Sequence, residues 1–460
     1  MKTLTIILAS LMLLNTQLFS QEKRGIDTTS KRITIIKNVE IFNGISEKTI
    51  EANIKIVDNI IEEIKINPFN IEKIKKNKKK KDVLIVIDGQ DKFLMPGLID
   101  VHTHLLFESA KHEQVLLSDF AMLNFIAADA AKKQLMRGFT TVRDLGGGAL
   151  TLANAIDLGL VIGPRVYASG AFISQTGGHG DFGLPTDVPR IIGELSYPER
   201  NGIVAIADGT DQVLMKTREQ LRQGATQIKL MAGGGVSSDY DPLDVTQYTP
   251  EELKAAVSAA ENWGTYVTVH AYTPRAIEMA IEAGVKCIEH GQLVDDYTAI
   301  LMAKNNVWWS LQPFLDDKLA NPHEGENKKK HDKVTDGTKN AYKLAKKYGV
   351  KTAWGTDTMF SAELAAKQGA KLANMKDSLG YKEFELLKMA TSNNAELLRM
   401  SGERNPYKKG NLGEITKGAY ADLILVKGNP LHNINLIANP DKNFLLIMKD
   451  GIVYKNILGK

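Results

Sequence analysis

The chain has 460 residues, a formal net charge of +4 and a single cysteine. That length is too great for one small core and suits a large α/β unit with an accessory domain. The near balance of basic and acidic residues gives no case for a nucleic-acid partner, and one cysteine excludes an intrachain disulfide.

In chain order, Lys2 gives a positive start, Leu4 to Leu14 is a short apolar run, and Asn15-Thr16-Gln17 leads to Leu18-Phe19-Ser20-Gln21. Residues 1–20 read as a signal peptide cleaved after Ser20, although Leu18 stands where a small residue is usual. The run is shorter than the ~20 residues that span a bilayer, and no later segment is long and apolar enough to do so. The mature chain is therefore expected to be exported, periplasmic or secreted, with no membrane span.

Residues 21–97 alternate in short β-type runs: Ile33 to Ile36, Val39 to Phe42, Ile54 to Val57, Ile61 to Ile64 and Val83 to Ile87. Asn43-Gly44 and Asp58-Asn59 read as turns between them. The lysine-rich stretch Lys73 to Lys81 reads as a solvated loop. Between residues 98 and 409 eight β-branched runs alternate with amphipathic helical stretches. The runs are 98–101, 140–143, 165–169, 226–230, 266–269, 286–289, 307–311 and 351–354. The helices include 120–136, 210–223, 250–263, 274–283 and 333–347. Eightfold alternation suggests a (β/α)8 TIM barrel. Residues 410–460 return to short strands, with Lys449-Asp450-Gly451 as a hairpin turn. The fold class expected is α/β: a barrel with a small composite β-sandwich domain formed from both chain ends.

The residues able to carry chemistry fall at the ends of these runs, where barrel enzymes keep their active sites. His102 and His104, two apart on the first strand, share a face and could bind one metal ion. Lys229, His270, His290 and Asp357 each stand at the end of a later predicted strand. Cys287 reads as a small buried hydrophobe, with a nucleophile as the alternative.

The His-x-His after Pro96-Gly97-Leu98-Ile99-Asp100, the fourth-strand Lys229, His270, His290 and Gly355-Thr356-Asp357 together resemble the metal-dependent amidohydrolase superfamily. Gly138 to Asp144, Thr176 to Gly180, and Asp241-Pro242 to Gln247-Tyr248 resemble its imidazolonepropionase-like and Xaa-Pro dipeptidase-like branch. The resemblance implies two divalent metal ions, with zinc suited to imidazole and carboxylate ligands. His102, His104 and Asp357 would hold one ion and His270 and His290 the other. Lys229 would bridge them as an N-carboxylated lysine formed with carbon dioxide. A hydroxide bridging the ions would be the nucleophile, and Asp357 would move its proton to the leaving nitrogen.

Substrate residues are less constrained. His179 could hydrogen-bond a carbonyl oxygen or a carboxylate, Tyr248 could donate to an oxyanion, and Arg275 could pair a substrate carboxylate. Ala271-Tyr272 departs from many relatives, which carry a second histidine there. Trp308-Trp309 and Gln312-Pro313-Phe314 either line an apolar subsite or belong to the core. The expected function is hydrolysis of amide C–N bonds in a small molecule, a dipeptide or N-acyl amino acid, by a homo-oligomer. The alternatives are a cyclic amidase or imidazolonepropionase-type ring hydrolase, a lactonase or phosphotriesterase, and a silent metal-stabilised binding protein.

Overall fold

The computed structural model describes residues 30–188, 194–238 and 240–458, so the expected signal peptide lies outside the described residues. The first alternating runs form β1 (Arg32–Ile41), β2 (Ile50–Val57), β3 (Ile60–Lys65) and β4 (Val83–Pro96). β1 pairs antiparallel with β2 and parallel with β4. The lysine-rich stretch is only partly a loop. Ile71–Asn77 forms a short helix, α1, because Asn70 Oδ1 caps the Lys73 N–H and Ile71 and Ile74, one turn apart, pack on Phe69.

The alternating middle of the chain gives two parallel sheets. One holds β5 (Leu98–Thr103), β6 (Phe139–Asp144) and β7 (Arg165–Ala168). The other holds β8 (Phe172–Ser174), β9 (Val204–Ile206), β10 (Ile228–Met231), β11 (Val267–Ala271), β12 (Cys287–His290), β13 (Trp308–Leu311) and β14 (Thr352–Trp354). Their order is β14-β13-β12-β11-β10-β8-β9. The eight expected runs coincide with β5 to β7 and β10 to β14. β8 and β9 have three residues each, too few to show a period of two.

Where the two parallel sheets meet, single hydrogen bonds replace ladders. On one side the Thr226 N–H donates to Ala168 O at 2.9 Å and Gln227 Nε2 donates to Tyr167 O at 3.1 Å. On the other, Asn394 stands between β14 and β5. Its Oδ1 accepts from Trp354 N–H at 2.9 Å, and its Nδ2 donates to Ile99 O and Trp354 O, each at 2.7 Å. Asn394 follows a π-helical turn, Met389–Asn393, an insertion that recurs where a helix must present a particular side chain.

The last strands, β15 (Leu423–Val426), β16 (Phe444–Lys449) and β17 (Ile452–Asn456), rejoin the first sheet. Its order is β17-β16-β15-β4-β1-β2-β3, so strands from both chain ends share one sheet. The β16–β17 turn has φ of 54° at Asp450 and 68° at Gly451, as a two-residue hairpin of the right twist requires. Side chains alternate between faces. Leu94, Leu423, Leu425, Leu446 and Met448 fill the sheet's own core, while Phe93, Met95, Ile424, Val426 and Phe444 join the core of the parallel sheets. Arg165 of β7 locks the two bodies together, pairing with Asp422 at 3.0 Å and Asp450 at 2.6 Å. β4 passes through Gly97 directly into β5, so this sheet positions the strand that carries His102 and His104. Among the described residues no helix is long and apolar enough to cross a membrane.

Asn394→Ala should leave the Trp354 N–H and the Ile99 carbonyl buried and unpaired. At ~1–3 kcal/mol for each unsatisfied group, the variant should unfold at a clearly lower urea midpoint. An unchanged midpoint would mean that this seam does not depend on Asn394.

Candidate metal-binding active site

Every residue of β5 is buried, and His102 and His104 emerge at its end. Asp357 meets them from the segment after β14. Its N–H donates to His102 O at 2.8 Å, and its Oδ1 lies 3.4 Å from His102 Nε2 and 3.3 Å from His104 Nε2. The approach is close enough to demand glycine at 355, where a Cβ would fall 2.5 Å from His102 Cβ. Asp357 itself takes φ 48°, which aspartate tolerates better than most residues.

β10, β11 and β12 bring Lys229, His270 and His290 to the same place. The His290 ring lies 4.9 Å from His102 and 4.4 Å from His270, and His179 stacks on His270 at 4.1 Å. One cavity is lined by His102, His104, His179, Lys229, His270, His290 and Asp357. Its remaining wall is largely apolar, with Phe107, Phe172, Phe182, Met231, Met359 and Phe360. His179 reaches it because the preceding Gly-rich turn is held by Gln247, whose Oε1 accepts from the His179 N–H at 3.0 Å. Gly235 is required there, since a Cβ would enter the imidazole of His179. Asp241 closes this loop by accepting from Gly235 N–H and Gln247 Nε2.

The donor set suits a metal ion. Ligand atoms of His102, His290 and Asp357 lie within 4.8 Å of one another. A carbonyl only accepts, so His104 Nδ1–H donates to Gly146 O and His270 Nε2–H donates to Gly234 O, both at 3.1 Å. His102 Nδ1–H donates to the Glu289 carboxylate at 2.9 Å. Each ring is thus oriented by one nitrogen and keeps the other free, the arrangement that metal-ligating histidines adopt. His290 Nδ1 and Asp357 Oδ1 are buried with no hydrogen-bond partner among the described residues, a costly state that a cation would relieve.

Burial pushes His102 down to about 4 and holds His270 and His290 well below the ordinary imidazole range, which favours the neutral rings that a metal ion would need. Burial also lowers Lys229 to about 8, freeing part of its amine near neutrality. Burial would raise Asp357, but the histidines around it outweigh burial and lower it, among them His104, which Asp357 in turn holds above the ordinary imidazole range.

The other expected site residues fall elsewhere. Tyr248, at φ 66°, is buried in the core, its hydroxyl unpartnered among the described residues, and it does not line the cavity. Arg275 is exposed on the helix Pro274–Glu282. Trp308 and Trp309 are core, with Trp309 Nε1 donating to His290 O at 2.6 Å, whereas Pro313 and Phe314 line the outer part of the cavity. Cys287 is fully buried and its thiol is pushed up to about 12 by burial, so it is not a thiolate nucleophile.

Three residues that support the site, Glu289, Arg143 and Tyr272, were given no site role from sequence. Glu289 is fully buried, and although burial would raise it, Arg143 holds it well below the usual carboxylate range. Arg143 NH2 lies 2.6 Å from Glu289 Oε1, and its Nε donates to Val101 O. Tyr272 packs against both His270 and His290. Glu289 had a visible signal, a carboxylate inside an apolar run next to His290.

Comparison with known proteins places these features in context. The sequence model of the amidohydrolase family matches residues 93–455. The ochratoxinase of Aspergillus niger is 34% identical over 378 residues, which cover 79% of this chain and 75% of that protein. A solved prolidase complexed with N-methylphosphonate-L-proline is 33% identical with a TM-score of 0.80, covering 92% of this chain and 100% of that one. A solved Xaa-Pro dipeptidase with methionine in its active site is 30% identical with a TM-score of 0.76, again covering 92% and 100%.

Glu289→Gln should weaken binding of a divalent metal ion, with zinc as the probe, by ~10–100-fold, the usual effect of removing the partner that orients a ligating histidine. It should also destabilise the fold by ~3–5 kcal/mol, because Arg143 is left as an uncompensated buried charge. Competition with a chelator of known affinity, alongside thermal melts, measures both. Unaltered zinc affinity would remove Glu289 from the site.

Proposed function

The chain belongs to the amidohydrolase family and is a hydrolase acting on carbon–nitrogen bonds, and on that premise we propose that it cleaves dipeptides or N-acyl amino acids bearing a free carboxylate. The observation that carries the reading is the convergence of His102, His104, Lys229, His270, His290 and Asp357 on one cavity. In this reading β5 to β7 and β10 to β14 close into a (β/α)8 barrel over residues 98–409. Residues 21–97 and 410–460 form a composite β-sandwich domain, and the chain assembles as a homo-oligomer. The strand order and the two hydrogen-bonded seams support the barrel, and the sheet shared by both chain ends supports the composite domain.

His102, His104 and Asp357 would hold one divalent ion, zinc by ligand type, and His270 and His290 a second, with Lys229 as carbamate between them. When bound, such ions supply Lewis acidity and a water nucleophile usable near neutral pH. Asp357 accepts the proton from the attacking water and delivers it to the leaving nitrogen, a role suited to a carboxylate kept ionised at rest. His179, its Nδ1 held 2.7 Å from Ser238 Oγ, presents the rest of its ring to the substrate carbonyl oxygen. The phenylalanine and methionine walls exclude bulk water from the reacting atoms.

Two experiments test this. A panel of dipeptides and N-acyl amino acids, with a cyclic amide and a lactone as competitors, should show amine release from the linear substrates. Asp357→Asn keeps an oxygen for coordination but cannot take up a proton, so turnover should fall by at least ~10²–10⁴-fold with metal largely retained. Near-native turnover at full metal occupancy would transfer the proton to another group, His179 first. Preference for the lactone or the cyclic amide would replace the peptide reading.

Export is part of the same proposal and rests on the character of residues 1–20. Mass spectrometry of the protein from its native host should find an N-terminus near Gln21. An intact Met1 in a cytosolic fraction would refute it.

A further inference from the structure

Beside the metal-ligand set lies a second, outer chamber that shares His179, His270 and Asp357 with it and is also bounded by Phe314, Leu315 and Lys371. Lys371, on the helix Gln368–Leu379, is only 9% exposed and is the sole lysine or arginine lining this chamber among the described residues. An ammonium has three donors. Here one goes to Thr358 Oγ1 at 2.8 Å, and no acidic side chain forms an ion pair with it among the described residues. Burial lowers Lys371 to about 8, although the carboxylates of Asp357 and Asp100, acting from beyond ion-pair distance, oppose that shift. Its side chain borders a space that a ligand can enter.

Position adds to this. In a dipeptide or N-acyl amino acid the carboxylate carbon lies two bonds from the scissile nitrogen. Its anchor must therefore stand beside the group that protonates that nitrogen. Lys371 meets that condition: it lines the same chamber as Asp357, whose carboxylate is the foremost charge acting on it, and it donates to Thr358, the next residue. Arg275, the sequence candidate for this task, is exposed on another helix. Across the chamber Phe314, Leu315 and Val334 offer an apolar surface for the side chain of the departing amino acid.

We propose that Lys371 anchors the α-carboxylate of the substrate's leaving amino acid and thereby selects free acids over C-terminal amides and esters. The proposal rests on the amide-hydrolase reading above and specifies how that site chooses its substrate.

The test compares N-benzoyl-L-phenylalanine with its C-terminal carboxamide, following benzoate release by wild-type enzyme, Lys371→Met and Lys371→Arg. Wild type should prefer the acid. Lys371→Met should lose ~10–100-fold in kcat/KM on the acid, the size of one charge-assisted hydrogen bond, mainly through KM. The same variant should leave the carboxamide unchanged, and Lys371→Arg should keep part of the preference for the acid. Equal losses on acid and amide, or none on the acid, would overturn the proposal. Calorimetry of L-phenylalanine against L-phenylalaninamide separates the two levels. Should wild type cleave neither benzoyl compound, the substrate reading fails. The anchor then stands if L-phenylalanine binds wild type and not Lys371→Met, and falls if the two proteins bind it equally or not at all.

Discussion

A buried ion pair between Arg143 and Glu289 sets the geometry on which the rest of the site depends. Both side chains are fully buried, so neither charge can be met by water. Arg143 reaches Val101 on β5, Tyr266 before β11, Glu289 on β12 and Ser310 on β13. One guanidinium on β6 therefore ties β5 and β6 of one sheet to β11, β12 and β13 of the other, two sheets that no ladder joins. Its rigid fork suits that task better than a lysine would. Glu289, held ionised, has one oxygen left for His102, and that bond decides which imidazole nitrogen faces the cavity. Such a pair contributes little net stability. Its effect is to fix one arrangement.

The same logic extends outward. Asp100, beside His102 in sequence, is fully buried and pushed up to about 6 by burial, yet it accepts from His102 N–H, Thr356 and Gln368. Asp144 accepts from Leu105 N–H at 2.7 Å just beyond His104. Two buried carboxylates thus hold the backbone on either side of the His-x-His pair. The segment bearing Asp357 is pinned by the same Asp100. Side chains that would be expensive alone become affordable as parts of a satisfied network.

The cavity divides its labour by polarity. Its inner part gathers imidazoles, Lys229 and Asp357 against aromatic and methionine walls, so charges there interact in a poorly screened medium. Its outer part combines an apolar surface at Phe314 and Leu315 with one ammonium at Lys371. The substrate proposed above, with an apolar side chain and a carboxylate next to its scissile bond, would match both.

Much of this was legible in the chain itself. The period-two placement of His102 and His104, and single polar residues at the ends of apolar runs, located the inner site, because strand geometry converts spacing directly into a shared face. Alternating runs likewise located the strands, including those at the two chain ends. Other features have no local signature. Lys371 stands in a helical stretch with several other lysines, and only packing removes it from water while leaving Arg275 exposed. Tyr248 ends a motif that resembles one branch of the family, but its positive φ and core packing keep its ring out of the cavity lining. Trp309 and Phe314 are both aromatics near one strand end, yet one is core and the other a wall. Sequence determined which residue types recur at which spacing. The tertiary structure decided which distant side chains share a buried, poorly hydrated space, since burial and partners are properties of the packed chain and not of any segment within it.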